Sequence, residues 1–364
     1  MWALVARGAR LVEYWHWHSL HYGAETYWGG ILPHSLQPGR IYRELADVGA
    51  ELRANAELIS DLRTVSDVGM LISAESRWAM EFIGPLRAAG SGWFGDSQSY
   101  ERIVAAFFRG LFDAGLSVDV LAPQQLPTDP DEMARRWPVL VVPGLYIADD
   151  ATLEGLKAYA VAGGHLVLTP RTGYADEEAV VRHEVMPGTL REAAGVRYDE
   201  FTNLTEPVQA TATGDATITG AATGWADGLI AEGAIVLAGY EHPHLRQFAA
   251  VTTNMFGTGR VTYVGTVPDR ELSRSLALWI TATSLSEDAW RTGWPSPVRC
   301  TFSLAADGRV LHFVHNWSWE PAQFTVPARA CPMDSRTPIE AGVVLSLGPW
   351  DVQILVESAG EPRG

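Results

Sequence analysis

The residues best suited to chemistry are crowded into positions 11–35, LVEYWHWHSLHYGAETYWGGILPHS. Trp15, Trp17 and Trp28, with Trp2 just upstream, stand among His16, His18, His21 and His34, the glutamates Glu13 and Glu25, and three glycines, and positions 11–35 hold no Lys or Arg. Flat aromatic faces beside carboxylates and imidazoles suit a carbohydrate, whose C–H faces lie on rings while its hydroxyls need acceptors and donors. The same composition fits a buried strand with an aromatic belt, since Trp and Tyr are common in strands. His16 and His18 would share one face of such a strand, with His21 close behind. No further ligand stands at a recognisable spacing, so hydrogen-bonded pocket histidines are expected and no metal site.

These residues need elements to hold them. Residues 2–7 read as the end of a helix, Gly8 breaks it, and residues 11–17 alternate as a strand. From Gly39 to about Arg63, Ile41, Leu45, Val48, Leu52, Leu58 and Leu62 recur at helical spacing with charges between them. The segment GAETYWGGILPHS, followed by a Pro-Gly turn and a helix carrying YRELADVGAEL, resembles the last strand, loop and helix of the catalytic barrel of the glycoside hydrolase family 42 beta-galactosidases. The resemblance extends over the whole chain.

By that resemblance, Trp15 and Glu25 would line a galactose pocket at the C-terminal end of a barrel strand, Glu25 accepting hydrogen bonds from sugar hydroxyls. Where many members of the family have a histidine this chain has Trp28, so that contact would be stacking. The family reaction is hydrolysis of terminal non-reducing β-D-galactose residues with retention, which needs two carboxyl groups about 5–5.5 Å apart. In the family both are glutamates on earlier barrel strands, and neither matching segment is in this sequence. Glu13 and Glu25 are poor substitutes, one inside the expected strand and the other at a binding position. No catalytic residue is therefore assigned, no cofactor is implied, and the chain alone is expected to be inactive. A protein of a different class, a non-catalytic oligomerisation or sugar-binding protein derived from such an enzyme, is the alternative.

Composition narrows the partners. The 364 residues carry a formal charge of −16, which argues against nucleic acid or an anionic membrane surface. Two cysteines, Cys300 and Cys331, are too few for a disulfide framework or a four-cysteine zinc site, and free thiols are the simpler reading. No apolar run is long enough to span a membrane, and the first residues lack a signal-peptide pattern, so the cytoplasm is the expected location.

Residues 68–73, 117–121, 139–142 and 165–169 are Val/Leu-rich strands separated by helices at 99–114 and 151–162, the pattern of a parallel sheet covered on both faces. The region resembles a flavodoxin-type, class I glutamine-amidotransferase-like fold, which in this beta-galactosidase family is the trimerisation domain and implies a homotrimer. Amidotransferase chemistry itself is excluded: it needs a cysteine at a strand-to-helix elbow. No cysteine precedes position 300, and the strand ends offer Tyr146, Thr169, Thr172 and Tyr174. Trp78, Phe82, Trp93, Phe94 and Tyr100 bracket a long loop and mark a contact surface, either between subunits, with Arg77 and Trp78 nearby, or over the domain's own core.

Residues 189–239 read as short strands, 256–265 as a hairpin arm, 269–283 as a closing helix, and the tail from about Pro295 as all-β with an Asp307-Gly308 hairpin turn. Trp317, Trp319 and Trp350 are expected to pack a small β core, with a carbohydrate-binding module as the functional alternative. The expected division is 1–62, the end of a (β/α)8 barrel; 63–290, the amidotransferase-like domain; and 291–364, a small antiparallel β domain.

Overall fold

The computed structural model describes residues 1–87, 90, 92–291, 293–335 and 337–357. The chain divides into two compact units, residues 66–287 and residues 1–65 together with 288–364.

In the first of these, short Val/Leu runs pair in parallel. The strands lie in the order Val118–Leu121, Val68–Leu71, Val139–Val142, His165–Leu168 and Gly259–Val264, all parallel. By chain order this is 2-1-3-4-5. The strand Ala249–Phe256 then pairs antiparallel with Gly259–Val264 and leads into further antiparallel strands at Ile235–Tyr240, Val208–Ala212, Ala221–Asp227 and Thr266–Pro268. The sheet is thus mixed around a parallel core. The segment 256–265, expected as one arm of a hairpin, is in part the fifth parallel strand. Its register against His165–Leu168 depends on a partner about 95 residues away in sequence, which local patterning cannot reveal.

Both faces of the parallel core are buried, because alternate residues of each strand point to opposite sides. On one side Val68, Met70, Val139, Val141, Val167 and Val264 pack with Phe107 and Leu111 of the helix Ser99–Asp113 and with Leu272, Leu276 and Ile280 of the helix Arg270–Ser284. On the other, Leu71, Leu140, Val142, Leu166, Leu168 and Val261 pack with Leu153, Leu156 and Tyr159 of the helix Asp150–Val161. The helices Ser99–Asp113 and Arg270–Ser284 touch backbone to backbone at Gly110, where an added Cβ would lie 2.0 Å from Ser273 Oγ and 2.4 Å from its carbonyl carbon. Two short helices, Ala74–Phe82 and Pro130–Arg136, complete the connections, each capped by a side chain that accepts from its first turn: Ser73 from Ser76 N–H and Asp129 from Asp131 N–H.

The second unit is built on a five-stranded antiparallel sheet in the order Arg63–Val65, Val298–Leu304, Val310–Asn316, Val352–Glu357 and Cys331–Pro332. Gly308, at φ +86°, makes the expected turn between two of these strands. Trp2, Leu58 and Leu62 pack with Leu311, Phe313, Ile354 and Val356. Trp290 stacks on His312 at 3.8 Å and donates to Glu357 at 2.8 Å, and His312 Nε2 meets the other oxygen of that carboxylate at 2.9 Å. Cys300 and Cys331 form no disulfide bond.

Several expectations need correction. Residues 11–17 form no strand: a strand needs a ladder on at least one side, and their backbone groups find none among the described residues beyond two bonds from residues 31 and 32. The helix expected from Gly39 to about Arg63 runs only from Arg40 to Ala54, with none of its residues buried; a separate short helix, Ala56–Ile59, follows, and Arg63 opens a strand. Trp319 and Trp350 are not core residues, being 78% and 50% exposed. One lies on a bend and the other on a turn outside the strands, so period-two burial does not govern them. Tyr100 is buried, and its hydroxyl accepts from Ser73 N–H at 2.8 Å, so it belongs to the core and not to the surface loop.

Candidate functional site

The aromatic and histidine-rich segment folds back on itself as a loop. Ile31 N–H and Leu32 N–H donate to the carbonyls of His16 and Trp17 at 2.9 and 2.8 Å, and Ser19 N–H donates to Leu32 O at 2.9 Å. Gly30 makes this closure feasible: a Cβ there would stand 2.3 Å from the His18 carbonyl carbon, and its N–H instead donates to Ser19 Oγ at 3.0 Å. The histidines tie the loop together. His21 Nε2 meets the His34 carbonyl at 2.8 Å, His34 Nε2 meets the Leu20 carbonyl at 3.0 Å, and His18 Nδ1 meets the Ser19 carbonyl at 3.0 Å. Among the described residues, no three His, Cys, Asp or Glu side chains are grouped so as to hold a metal ion.

Around this frame the aromatic faces are open. Trp15 is 73% and Trp28 57% exposed, with Tyr22 and Tyr27 more so. Trp15 stacks against His16 with centroids 5.6 Å apart, and Trp17 meets Tyr42 edge-on at 6.2 Å. Glu25 is half-buried and its carboxylate has no partner among the described residues, so both oxygens remain free to accept. A turn joins Glu25 to Trp28 through Trp28 N–H to Glu25 O at 3.1 Å. The structure thus brings Glu25 and Trp28 onto one turn, while among the described residues no ring contact or hydrogen bond links either of them to Trp15. Glu13 is exposed, outside any strand.

The C-terminal ends of the parallel strands form a second cluster. Thr169 and Thr172 are wholly buried, and their hydroxyls donate to the Val142 carbonyl at 3.0 and 3.3 Å, so they tie strand ends together and are not available to a substrate. Tyr146 and Tyr174 stack at 6.1 Å. Two further residues were not legible in sequence. Arg171 takes φ +68° and lays its guanidinium 4.3 Å from the ring centres of Tyr174 and Phe201 and 4.7 Å from that of Trp225. Asp227, wholly buried, accepts from Trp225 Nε1 at 2.8 Å and from Tyr263 Oη at 3.4 Å. Loss of water pushes its carboxyl up to about 7, against the opposing pull of the Trp225 hydrogen bond, the Arg171 charge and the Tyr263 hydroxyl. The signal that could have found Arg171 is its place just past a buried strand, in the turn Pro170 to Gly173. Asp227 carries no local signal, since Tyr263 comes from another strand and Arg171 from a turn far away in sequence.

Comparison with known proteins fits this geometry. Residues 66–283 match the beta-galactosidase trimerisation domain, and residues 1–55 match the glycoside hydrolase family 42 beta-galactosidase domain. The chain belongs to the glycoside hydrolase family 42 beta-galactosidases. It is 31% identical over 270 residues to the beta-galactosidase BgaB of Geobacillus sp. (strain Y412MC61), covering 74% of this chain and 38% of that protein. It is 28% identical over 337 residues to the beta-galactosidase BbgII of Bifidobacterium bifidum, covering 90% of this chain and 46% of that one. The chain therefore spans less than half the length of these curated relatives. Among solved structures, the cold-adapted beta-galactosidase of Rahnella sp. R3 superimposes with a TM-score of 0.83 at 25% identity, over 97% of this chain and 50% of its own. The beta-galactosidase of Bacillus circulans sp. alkalophilus shares the fold with a TM-score of 0.86 at 22% identity, over 98% of this chain and 51% of its own. No helix among the described residues is long and apolar enough to cross a membrane.

Proposed function

We propose that this chain is the C-terminal portion of a retaining beta-galactosidase, acting on terminal non-reducing β-D-galactose residues of β-D-galactosides, and that it assembles as a homotrimer in the cytoplasm. The observation that carries the reading is the paired match of residues 1–55 and 66–283 to the two domain types of one enzyme family. In this reading residues 1–62 close a (β/α)8 barrel, 63–290 form a flavodoxin-type, amidotransferase-like trimerisation domain, and 291–364 form a small β domain. The strand order 2-1-3-4-5 supports the flavodoxin-type assignment. The unburied apolar stripe of the helix Arg40–Ala54 is what a barrel helix presents to the rest of its barrel.

Trp15, Glu25 and Trp28 are the proposed pocket residues. The two tryptophans offer open faces for the sugar ring, and the free Glu25 carboxylate accepts from its hydroxyls. The two catalytic glutamates belong to barrel strands that these 364 residues do not include, so the chain supplies a pocket wall and subunit contacts but does not hydrolyse a galactoside by itself. Trp78, Phe82, Trp93 and Phe94, exposed by 61–88% beside the Arg77–Glu101 ion pair, are the proposed subunit contacts.

The test is hydrolysis of a chromogenic β-galactoside by the purified chain, its Glu25→Gln variant and a blank, with sedimentation of the same samples. The expected result is activity at the level of the blank and a particle of three times the chain mass. Activity well above the blank that disappears in the variant overturns the division of labour, and a monomer at micromolar concentration overturns the trimer.

A further inference from the structure

We infer that Arg171 anchors a site for a small oxyanion, a carboxylate or phosphate group, at the C-terminal edge of the parallel strands. The inference is independent of the galactoside reading and stands on four observations.

The first is the backbone. Arg171 is an arginine in the left-handed region, φ +68°, where a side chain other than glycine or asparagine is uncommon. Such outliers persist where the surroundings over-determine them, and they cluster at binding sites. Here the turn is pinned by Thr169 and Thr172: Gly144 N–H donates to Thr169 Oγ1 at 2.8 Å, and both threonine hydroxyls donate to Val142 O. The second is the orientation of the head group. Tyr174, Phe201 and Trp225 surround the guanidinium at 4.3–4.7 Å, and Phe201 stacks on Trp225 at 4.9 Å, so the aromatic rings hold the cation and leave its N–H groups unused.

The third is the missing partner. Among the described residues Arg171 makes no hydrogen bond or ion pair. Arg77, Arg102, Arg182 and Arg191 of this unit are paired with Glu101, Asp96, Asp150 and Glu232, whereas Arg135, Arg136, Arg246 and Arg274 also lack a carboxylate partner among the described residues, so what sets Arg171 apart is the aromatic frame that fixes its head group. Asp227 feels the Arg171 charge but makes no hydrogen bond or ion pair with it, its oxygens accepting from Trp225 Nε1 and Tyr263 Oη. A held, forked set of donors with no acceptor matches the two oxygens of a carboxylate or phosphate. The fourth is location. Arg171 lies beyond the carboxyl ends of the parallel strands, the side of open α/β sheets where ligands bind, though past the fourth strand and not at the switch point between the first and third; it is three residues past Leu168, half-buried beside a Phe201 that is 43% exposed. The hydroxyls of Tyr146 and Tyr174, stacked at 6.1 Å and likewise without a hydrogen bond among the described residues, add two donors to the same edge.

The test is titration calorimetry on the full chain with sodium succinate and, separately, with inorganic phosphate, at ionic strength fixed with sodium chloride. Wild type is compared with Arg171→Gly and Arg171→Lys. Glycine occupies φ +68° freely, so the first variant keeps the turn and removes the donors. Lysine keeps the charge and loses the fork. Saturable binding of at least one probe is expected in wild type, weakened at least tenfold in Arg171→Gly and measurably in Arg171→Lys. The probe that binds shows whether the natural ligand presents a carboxylate or a phosphate. Absence of saturable heat from both probes, or an affinity in Arg171→Gly within twofold of wild type, overturns the inference. In that case the arginine is a clamp on its rings, and its loss shows only in the urea midpoint. Should Arg171→Gly fail to give a native far-UV spectrum, unchanged affinity in Arg171→Lys overturns the inference instead.

Discussion

Replacing Asp227 by asparagine should make the protein more stable at pH 8 while leaving it little changed near pH 4.5. Asp227 has no exposed surface, and removal from water carries its carboxyl from the ordinary value of 3.8 up to about 7. Between these two values the folded chain holds a proton that the unfolded chain has released. Stability from this group is therefore fully present below about pH 4 and lost progressively up to about pH 7. At about 1.4 kcal/mol per unit, a separation of roughly three units places a ceiling near 4 kcal/mol on the loss. Relaxation around a charged Asp227, helped by the Trp225 N–H and the Arg171 charge, brings the expected figure to about 2–4 kcal/mol.

The side-chain amide introduced by Asp227→Asn keeps an acceptor for Trp225 Nε1, and its NH2 group can donate to Tyr263 Oη, whose own proton is then free for Tyr198 Oη, 3.1 Å away. Urea unfolding of wild type and Asp227→Asn, followed by circular dichroism at pH 4.5, 6, 7 and 8, measures the effect. The wild-type midpoint should fall across this range relative to that of the variant. A difference between the two proteins that is the same at pH 4.5 and pH 8 would refute it, because the carboxyl would then titrate alike in folded and unfolded chains.

Two backbone contacts give further expectations. Gly110→Ala should cost about 1–3 kcal/mol or more, since the new methyl would lie 2.0 Å from Ser273 Oγ and also against the Ser273 backbone; a urea midpoint equal to wild type would show that the two helices separate without penalty. Gly30→Ala should open the loop closed by His18 and Leu32, because its Cβ would meet backbone 2.3 Å away; faster amide exchange over residues 16–32, with no change over 139–168, is the expected pattern, and unchanged exchange in the loop would count against the contact.

Local pattern carried much of the fold. The helices Ser99–Asp113, Asp150–Val161 and Arg270–Ser284 and the parallel strands up to His165–Leu168 lie within a residue or two of their expected places, because each shows strong periodicity or an unbroken apolar run. The strand Gly259–Val264 was legible as a strand but not as part of the parallel core. The Trp-rich segment was legible as a concentration of carbohydrate-suited side chains, yet its strand did not form among the described residues. Alternation gives a face to a strand only if a neighbouring backbone exists to pair with it.

The lack of any cysteine before Cys300 removed amidotransferase chemistry from consideration by sequence alone, since a nucleophile is a matter of residue identity. Residue identity likewise placed Trp15, Glu25 and Trp28 under suspicion, and the order of GAETYWGGILPHS suggested the family. Tertiary structure decided which polar groups are free. It occupied the hydroxyls of Thr169 and Thr172 with a neighbouring carbonyl, bound His21 and His34 to loop carbonyls, and left Glu25 and Arg171 without hydrogen-bond partners among the described residues. It also drove the Asp227 carboxyl in among Trp225 and Tyr263, aromatic residues of different strands. Composition determines which groups a chain can offer, but whether a group meets water, a ligand or another part of the protein depends on residues far away in sequence, and only folding brings those together.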